Sequence, residues 1–132
     1  MKRRQQAGQS LVEVAFVLPV LLLMLLGIFD FGRAIYAYNA VANAAREAAR
    51  VAIVDQNPTA VIAKGKSSAL ALDPNQVNVT FPAPPCAKIG CTASVTVDTQ
   101  WRPITPIISA FFQTIDFSSV TEMPIERVYT SP

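Results

Sequence analysis

The longest apolar segment of the chain lies near its start. Sixteen uncharged residues run from Val14 to Phe29, and with Leu11 and Val12 the stretch covers 19 residues that contain one carboxylate, Glu13. As a helix it would be roughly 28 Å long, close to the hydrocarbon thickness of a bilayer. The rest of this short chain cannot surround such a helix with protein. The segment therefore predicts a transmembrane helix.

The helical pattern continues beyond the apolar segment. Apolar and alanine positions recur at alternating spacings of four and three, which marks one stripe of a helix. The stripe consists of Phe31, Ile35, Tyr38, Ala42, Ala45, Ala49 and Ala52. We therefore predict one long helix from Leu11 to about Val54, apolar all round at first and amphipathic afterwards. The alanines could form an oligomer interface or the surface on which the chain's own sheet packs, and we favour the second for Ala45, Ala49 and Ala52.

A second, shorter helix is predicted after the break at residues 55–57. Asn57 can cap a helix whose first position is Pro58, and that helix would run through Thr59 to Leu72. The segment 103–112, PITPIISAFF, is ambiguous and predicts either a short helix or a buried loop.

Alternating apolar and polar residues predict three strands in the second half of the chain. The first contains Val77, Val79 and Phe81, and the second runs from Ala93 to Trp101, whose indole we expect in the core. The third runs from Ile115 to about Val128, where Pro124 suggests an edge position or a bulge. The predicted fold class is α+β: a long N-terminal transmembrane and amphipathic helix packed by a small antiparallel β-sheet domain.

Charge placement predicts the orientation of the apolar helix. Lys2, Arg3 and Arg4 precede it, and the positive-inside tendency keeps that end in the cytoplasm and places the C-terminal domain outside. The net charge is +2, and the remaining charges are mixed and sparse, which argues against nucleic-acid binding. Asp30 and Arg33 are three positions apart and predict an exposed salt bridge outside the membrane.

The composition gives little support for catalysis or for a bound cofactor. The chain has no histidine, and its carboxylates are scattered one at a time, so neither a nucleophile motif nor a metal-ligand cluster is present in the sequence. We therefore predict no enzymatic activity, no cofactor and no metal site.

The two cysteines, Cys86 and Cys91, flank four residues of a proline-rich segment. This spacing is too wide for a redox CxxC pair, and no second pair completes a zinc site. In an oxidising outer compartment we expect a local disulfide that closes a turn. The alternative is two independent small apolar side chains.

A glycine before the apolar helix suggests a cytoplasmic cleavage site. A secretory signal peptide would instead be cleaved after its apolar core, and the nearest small-residue pattern there, Ala40-Val41-Ala42, lies too far away. Cleavage after Gly8 would make Gln9 the new N-terminus, about 6 Å along the helix from Glu13. The new amino group could then neutralise this carboxylate, in the same chain or in a neighbouring subunit. Equally, Glu13 could simply lie among the lipid headgroups as an acid near a helix N-terminus.

The segment GQSLVEVAFVLPVLLLMLLGIFDFGRAIYAYNAVANAAREAARVA resembles the TadE-like proteins of tight-adherence (Flp-type) pilus systems, which are minor pilins or pseudopilins of the type IV filament superfamily. The resemblance is carried by Gly8 followed by Glu13, by Pro19 within the apolar run, and by the motifs DFGR at 30–33 and NAAREAAR at 43–50. Val14 differs from the aromatic residue that many members have after the glutamate.

The resemblance implies cleavage between Gly8 and Gln9 by a prepilin peptidase. Residues 1–8 would form a cytoplasmic leader, 9–29 the transmembrane helix, and 30–132 an exported pilin-like domain that includes the outer half of the long helix. The expected partners are the prepilin peptidase, other pilus subunits, the inner-membrane assembly platform and membrane lipid. Expected locations are the cytoplasmic membrane, the periplasm or cell surface, and the pilus itself. The alternative is a signal-anchored envelope protein whose exported domain binds a ligand or partner.

Overall fold

The computed structural model describes residues 2–70, 72–82 and 88–128, with side chains from residue 8 onward. Its elements are α1 (Lys2–Ala52), α2 (Pro58–Ser68), β1 (Val77–Thr80), β2 (Thr92–Trp101), α3 (Pro106–Phe111) and β3 (Ile115–Pro124). The predicted α+β fold, with a long apolar N-terminal helix and a small antiparallel sheet, is confirmed.

The long helix α1 begins earlier than the apolar pattern predicts. Its residues 2–10 contain no proline, and their glutamines, alanine and basic residues favour helix, so the helix extends to Lys2. At 51 residues it is roughly 76 Å long. Pro19 lies inside it without ending it. From Gly8 to Leu26 every residue of α1 is exposed, so the described part of the domain leaves this end of the helix uncovered.

The sheet has the order β1-β2-β3 among the described residues, and both pairings are antiparallel. Strands β2 and β3 pair along their whole length, from Thr92 opposite Pro124 to Trp101 opposite Ile115. Strand β3 ends at Pro124 and is shorter than the predicted strand to Val128, because the chain turns away after Ile125, and the N–H groups of Glu126 and Arg127 donate to Ile53 O at the end of α1.

The outer half of α1 packs against this sheet and α2 through small side chains. Ala45, Ala49 and Ala52 are completely buried, which confirms the expectation that they contact the chain's own domain. Their partners in the core include Val61 of α2 and Val95 of β2. The core lies between the outer half of α1, α2 and the inner face of the sheet. The small alanine side chains let the sheet approach α1 closely.

The first members of the stripe are exposed. Phe31, Ile35 and Tyr38 are 67%, 45% and 56% exposed, so the chain's own domain covers the stripe only toward its alanine end. Phe31 precedes the fully buried Ala49 by 18 residues, which is five turns of an α-helix, so both side chains point in about the same direction. The described part of the domain therefore covers this face of α1 near Ala49 and leaves it uncovered near Phe31.

Helix α2 starts as predicted, with the Asn57 side chain accepting a hydrogen bond from Thr59 N at 3.0 Å and Pro58 in the first turn. It ends at Ser68 and not at Leu72. Gly65 faces the core at a close approach, because a Cβ there would lie 3.0 Å from both Cγ atoms of Val79 and 3.3 Å from Cβ of Ala48.

Candidate functional site: the N-terminal helix and its outer boundary

The residues of the predicted processing site lie on the exposed N-terminal part of α1. Gly8, Gln9 and Glu13 are all exposed, and no described atom would contact a Cβ placed at Gly8. Glycine costs about 1 kcal/mol relative to alanine in a helix interior. Gly8 therefore lowers the stability of the helix next to the bond that the sequence predicts to be cleaved.

Glu13 shares its surface with apolar side chains. It borders a shallow groove along α1 with Val14, Val17, Leu18 and Leu21. Among the described side chains, no cation forms an ion pair with its carboxylate. A carboxylate needs water or a cation beside it. On this apolar surface, Glu13 finds them only at the membrane surface or beside a cation from another molecule.

One described helix is long and apolar enough to cross a membrane. It covers Gly8–Ala52, with a mean hydropathy of 2.7 in its most apolar window, and none of that window is buried against the protein. This exposure distinguishes it from the core helix of a soluble protein. The apolar N-terminal helix can serve as a membrane anchor.

The first polar residue after the apolar segment, Asp30, is buried by the loop that precedes α3. Its Oδ2 accepts hydrogen bonds from Thr105 N at 2.8 Å and Ile104 N at 3.1 Å, and its Oδ1 accepts from Ile104 N at 3.0 Å. Pro106 follows at the first position of α3 and has no N–H to satisfy. The carboxylate thus binds the two backbone N–H groups that lead into α3.

Asp30 also forms the predicted ion pair with Arg33, with 3.4 Å between its Oδ1 and a guanidinium nitrogen. We expected both side chains to be exposed, and this expectation is wrong for Asp30. The Asp30 side chain is 4% exposed, whereas that of Arg33 is 49% exposed. The arginine also lies over the Trp101 ring, 6.0 Å from its centroid. Trp101 itself is buried, as predicted.

Opposing effects act on the acidity of Asp30. Burial raises the pKa of its carboxyl, but the Thr105 hydroxyl, the N–H groups of Ile104 and Thr105 and the Arg33 guanidinium together hold that pKa below its usual value. Among the described residues, the Thr105 hydroxyl oxygen has no hydrogen-bond partner of standard geometry. We therefore attribute the lowered pKa mainly to the backbone N–H groups, and the carboxylate is charged near neutral pH.

The cysteine prediction falls partly outside the described residues. Cys91 is half-buried beside the core and is disulfide-bonded, while Cys86 lies outside the described residues. The pairing of Cys86 with Cys91 stays a prediction. Within the described part of the chain, no group of three or more His, Cys, Asp or Glu side chains could hold a metal ion.

The comparison with known families concerns the same helix that carries these features. Residues 8–50 match the model of the family described as TadE-like protein. This segment, about a third of the chain, is similar to TadE-like proteins. This match confirms the resemblance predicted from the sequence and begins at Gly8. The family is a structural, pilin-like one associated with Tad pili. No curated protein and no solved structure matches the chain.

The connection between Asp30 and the α3 loop was missed by sequence reasoning. The donors are backbone N–H groups 74 and 75 positions further along the chain. Every residue except proline has such a group, so the sequence does not indicate which of them bind Asp30. One signal was available: an aspartate directly after an apolar run is costly to bury and needs donors. The Thr105-Pro106 pair, which starts a helix, was a candidate donor site.

Proposed function

We propose that the protein is a minor pilin or pseudopilin that takes part in assembly of a tight-adherence pilus. The observation that carries the proposal is the division of α1 into two halves. Its apolar half is exposed, while its outer half is buried against the chain's own sheet. A subunit that moves from the membrane into a filament needs such a helix, because the apolar half must leave lipid and pack against other subunits without unfolding the domain.

Processing after Gly8 is the second part of the proposal. The exposed position of Gly8 on α1 supports it, as does the family match that starts at this residue. Cleavage would remove Lys2, Arg3 and Arg4, the cations that hold this helix end in the cytoplasm. Their loss favours extraction of the helix from the membrane.

Glu13 has the role of pairing with the new N-terminus of a neighbouring subunit. Its exposure on an apolar helix surface supports this role, since the carboxylate gains a cation when two processed helices pack in a filament. The partners are the prepilin peptidase, other pilus subunits, the inner-membrane assembly platform and membrane lipid. The exported domain lies outside the cytoplasmic membrane, and the protein has a structural and not a catalytic role.

Intact mass and N-terminal sequencing of the membrane-extracted protein test the proposal. The chain is produced with and without an active prepilin peptidase from a tight-adherence system. We expect the N-terminus to be Gln9 when the peptidase is active. When the peptidase is absent, we expect the leader to remain attached. Gly8→Lys should block cleavage, while Gly32→Ala, a glycine exchange elsewhere on the same helix, should not.

An intact leader in cells whose peptidase processes its other substrates would contradict the processing proposal. It would instead favour a signal-anchored envelope protein whose exported domain binds a ligand or partner.

A further inference from the structure

The short helix α3 has an apolar surface that the described part of the domain leaves uncovered. None of its residues is buried. The exposed apolar side chains on and beside it are Ile104 (67%), Ile107 (51%), Phe111 (81%) and Phe112 (57%). A helix that faces water normally has polar residues on its exposed side. The apolar side chains of α3 therefore indicate that this surface lies in an apolar or interfacial environment.

Contacts with α1 place α3 at the end of the apolar segment. A Cβ at Gly27 would lie 3.9 Å from Cδ1 of Ile108, and Asp30 binds the backbone of Ile104 and Thr105. Residues 27 and 30 are the last turn of the apolar segment and the first polar position after it. Helix α3 therefore lies at the level where the hydrocarbon of a bilayer would end.

Cations and aromatic rings surround the same level. Arg33 and Arg102 border one cleft together with Trp101, and a neighbouring cleft extends from Trp101 and Arg33 to Ile28 and Phe29. Arginines that can reach lipid phosphates, together with aromatic residues at the end of an apolar segment, are typical of a membrane interface.

We propose that α3 lies in the lipid interface at the C-terminal end of the transmembrane segment, with Ile107, Phe111 and Phe112 in the acyl region and Arg33 and Arg102 at the phosphates. At six residues α3 is too short to span a bilayer, but a helix parallel to the surface can bury its apolar face roughly 5–10 Å into the boundary. Asp30 is the positioning residue that holds it at this depth. The proposal rests on the membrane anchoring within the proposed function, and it is independent of filament assembly.

Lipid is favoured over a second copy of the chain because α3 is continuous with the apolar segment of α1. Any neighbour at this level must lie in or on the same bilayer, whereas lipid is present around every inserted molecule. The flanking arginines also match anionic headgroups better than they match another copy with the same charges.

The test measures the depth of single tryptophans in the full chain, reconstituted into phosphatidylcholine–phosphatidylglycerol vesicles that contain lipids brominated at defined acyl positions. Phe111→Trp is made in a Trp101→Phe background, since Trp101 is the one tryptophan of the chain. Met24→Trp reports the middle of the segment, and Ile89→Trp, at the opposite end of the domain, reports water. If Trp101→Phe unfolds the domain, Trp101 is kept and the difference in quenching from the unmodified chain is measured.

We expect the indole at 111 to lose emission most strongly to bromines nearest the headgroups, the indole at 24 to the deepest bromines, and the indole at 89 to none. Quenching at 24 without quenching at 111 would overturn the position of α3 and leave the anchor intact. No quenching at 24 would overturn the membrane anchor as well. A blue-shifted but unquenched indole at 111 that depends on protein density would show that a second copy covers the surface.

Discussion

The carboxylate of Asp30 accepts a hydrogen bond of 2.8 Å from the backbone N–H of Thr105, 75 positions further along the chain. This bond connects the last apolar turn of α1 to the start of α3. It therefore joins two helices, α1 and α3, that lie far apart in the sequence. Because the acid is buried, the contact cannot be replaced by water without opening the loop, and we expect it to stabilise the end of the domain that lies next to the apolar segment.

We predict that Asp30→Asn destabilises the domain by about 1–3 kcal/mol, because an amide offers one acceptor oxygen and its NH₂ group meets the N–H groups of Ile104 and Thr105. Arg33→Gln is the matched control. It removes a half-exposed ion pair, worth ~0.2–1 kcal/mol, and a contact with Trp101 at 6.0 Å, the outer limit of a cation–π interaction, and it leaves the backbone bonds intact. Thermal unfolding of both variants of the full chain in detergent measures the difference, and equal losses for the two would contradict the central role of the backbone bonds.

The lowered pKa of Asp30 predicts a specific pH dependence. A carboxyl whose pKa is lower in the folded state contributes stability that is fully present above the unfolded value, about 3.9. That contribution is lost as pH falls through the folded pKa. We therefore expect the unfolding temperature difference between the unmodified chain and Asp30→Asn to be constant from pH 7 to about pH 5 and to shrink below pH 4. A difference that grows on acidification would contradict a lowered pKa.

The close approach of Gly65 to Val79 leads to a second prediction about stability. Gly65→Ala gains up to about 1 kcal/mol of helix propensity, but its Cβ would meet Val79 at 3.0 Å, and overpacking costs about 1–3 kcal/mol. We expect net destabilisation. Gly32→Ala has the same propensity gain and no described atom within 4 Å, so it should not destabilise. Chemical unfolding of both variants checks this, and a stabilised Gly65→Ala protein would show that the sheet moves away readily.

The predicted disulfide is tested by thiol labelling of the membrane-extracted protein without reductant. We expect neither Cys86 nor Cys91 to be labelled, and both to react after reduction. The closed loop is small, so the stabilisation should be at or below the usual ~2–4 kcal/mol. Labelling of both cysteines before reduction would reject the pairing, and Cys86→Ser should then have no effect on unfolding.

The sequence predicts those parts of the fold that depend on local periodicity. The alternation from Ala93 to Trp101 and the cap at Asn57 depend on neighbouring residues, and both are found where expected. The burial of Asp30 and the uncovered surface of α3 depend on which distant segment is close in space. The exposure of Phe31 could not be predicted for the same reason, because periodicity identifies a face of a helix but not the segment that covers it.

The placement of Glu13 leads to the prediction that separates filament assembly from simple anchoring. If the carboxylate only lies among headgroups, Glu13→Ala should make insertion slightly easier and change little else. If it pairs with the N-terminus of a neighbouring subunit, the exchange leaves a buried charge without its partner. Breaking a buried pair can cost ~3–5 kcal/mol, or roughly two to four orders of magnitude in an association constant. We therefore expect Glu13→Ala to be expressed and inserted but to lose pilus assembly and co-purification with pilus components.

The control for Glu13→Ala must separate assembly from processing, since an uncleaved chain would also fail to assemble. The N-terminus is therefore sequenced in the same strain in which pili are counted. Val17→Ala serves as the matched exchange, because Val17 borders the same groove on α1 as Glu13 and carries no charge. It should leave both cleavage and assembly intact. A cleaved, inserted Glu13→Ala protein that still supports normal pili would reject the pairing role, because a processed N-terminus would then have assembled without its carboxylate.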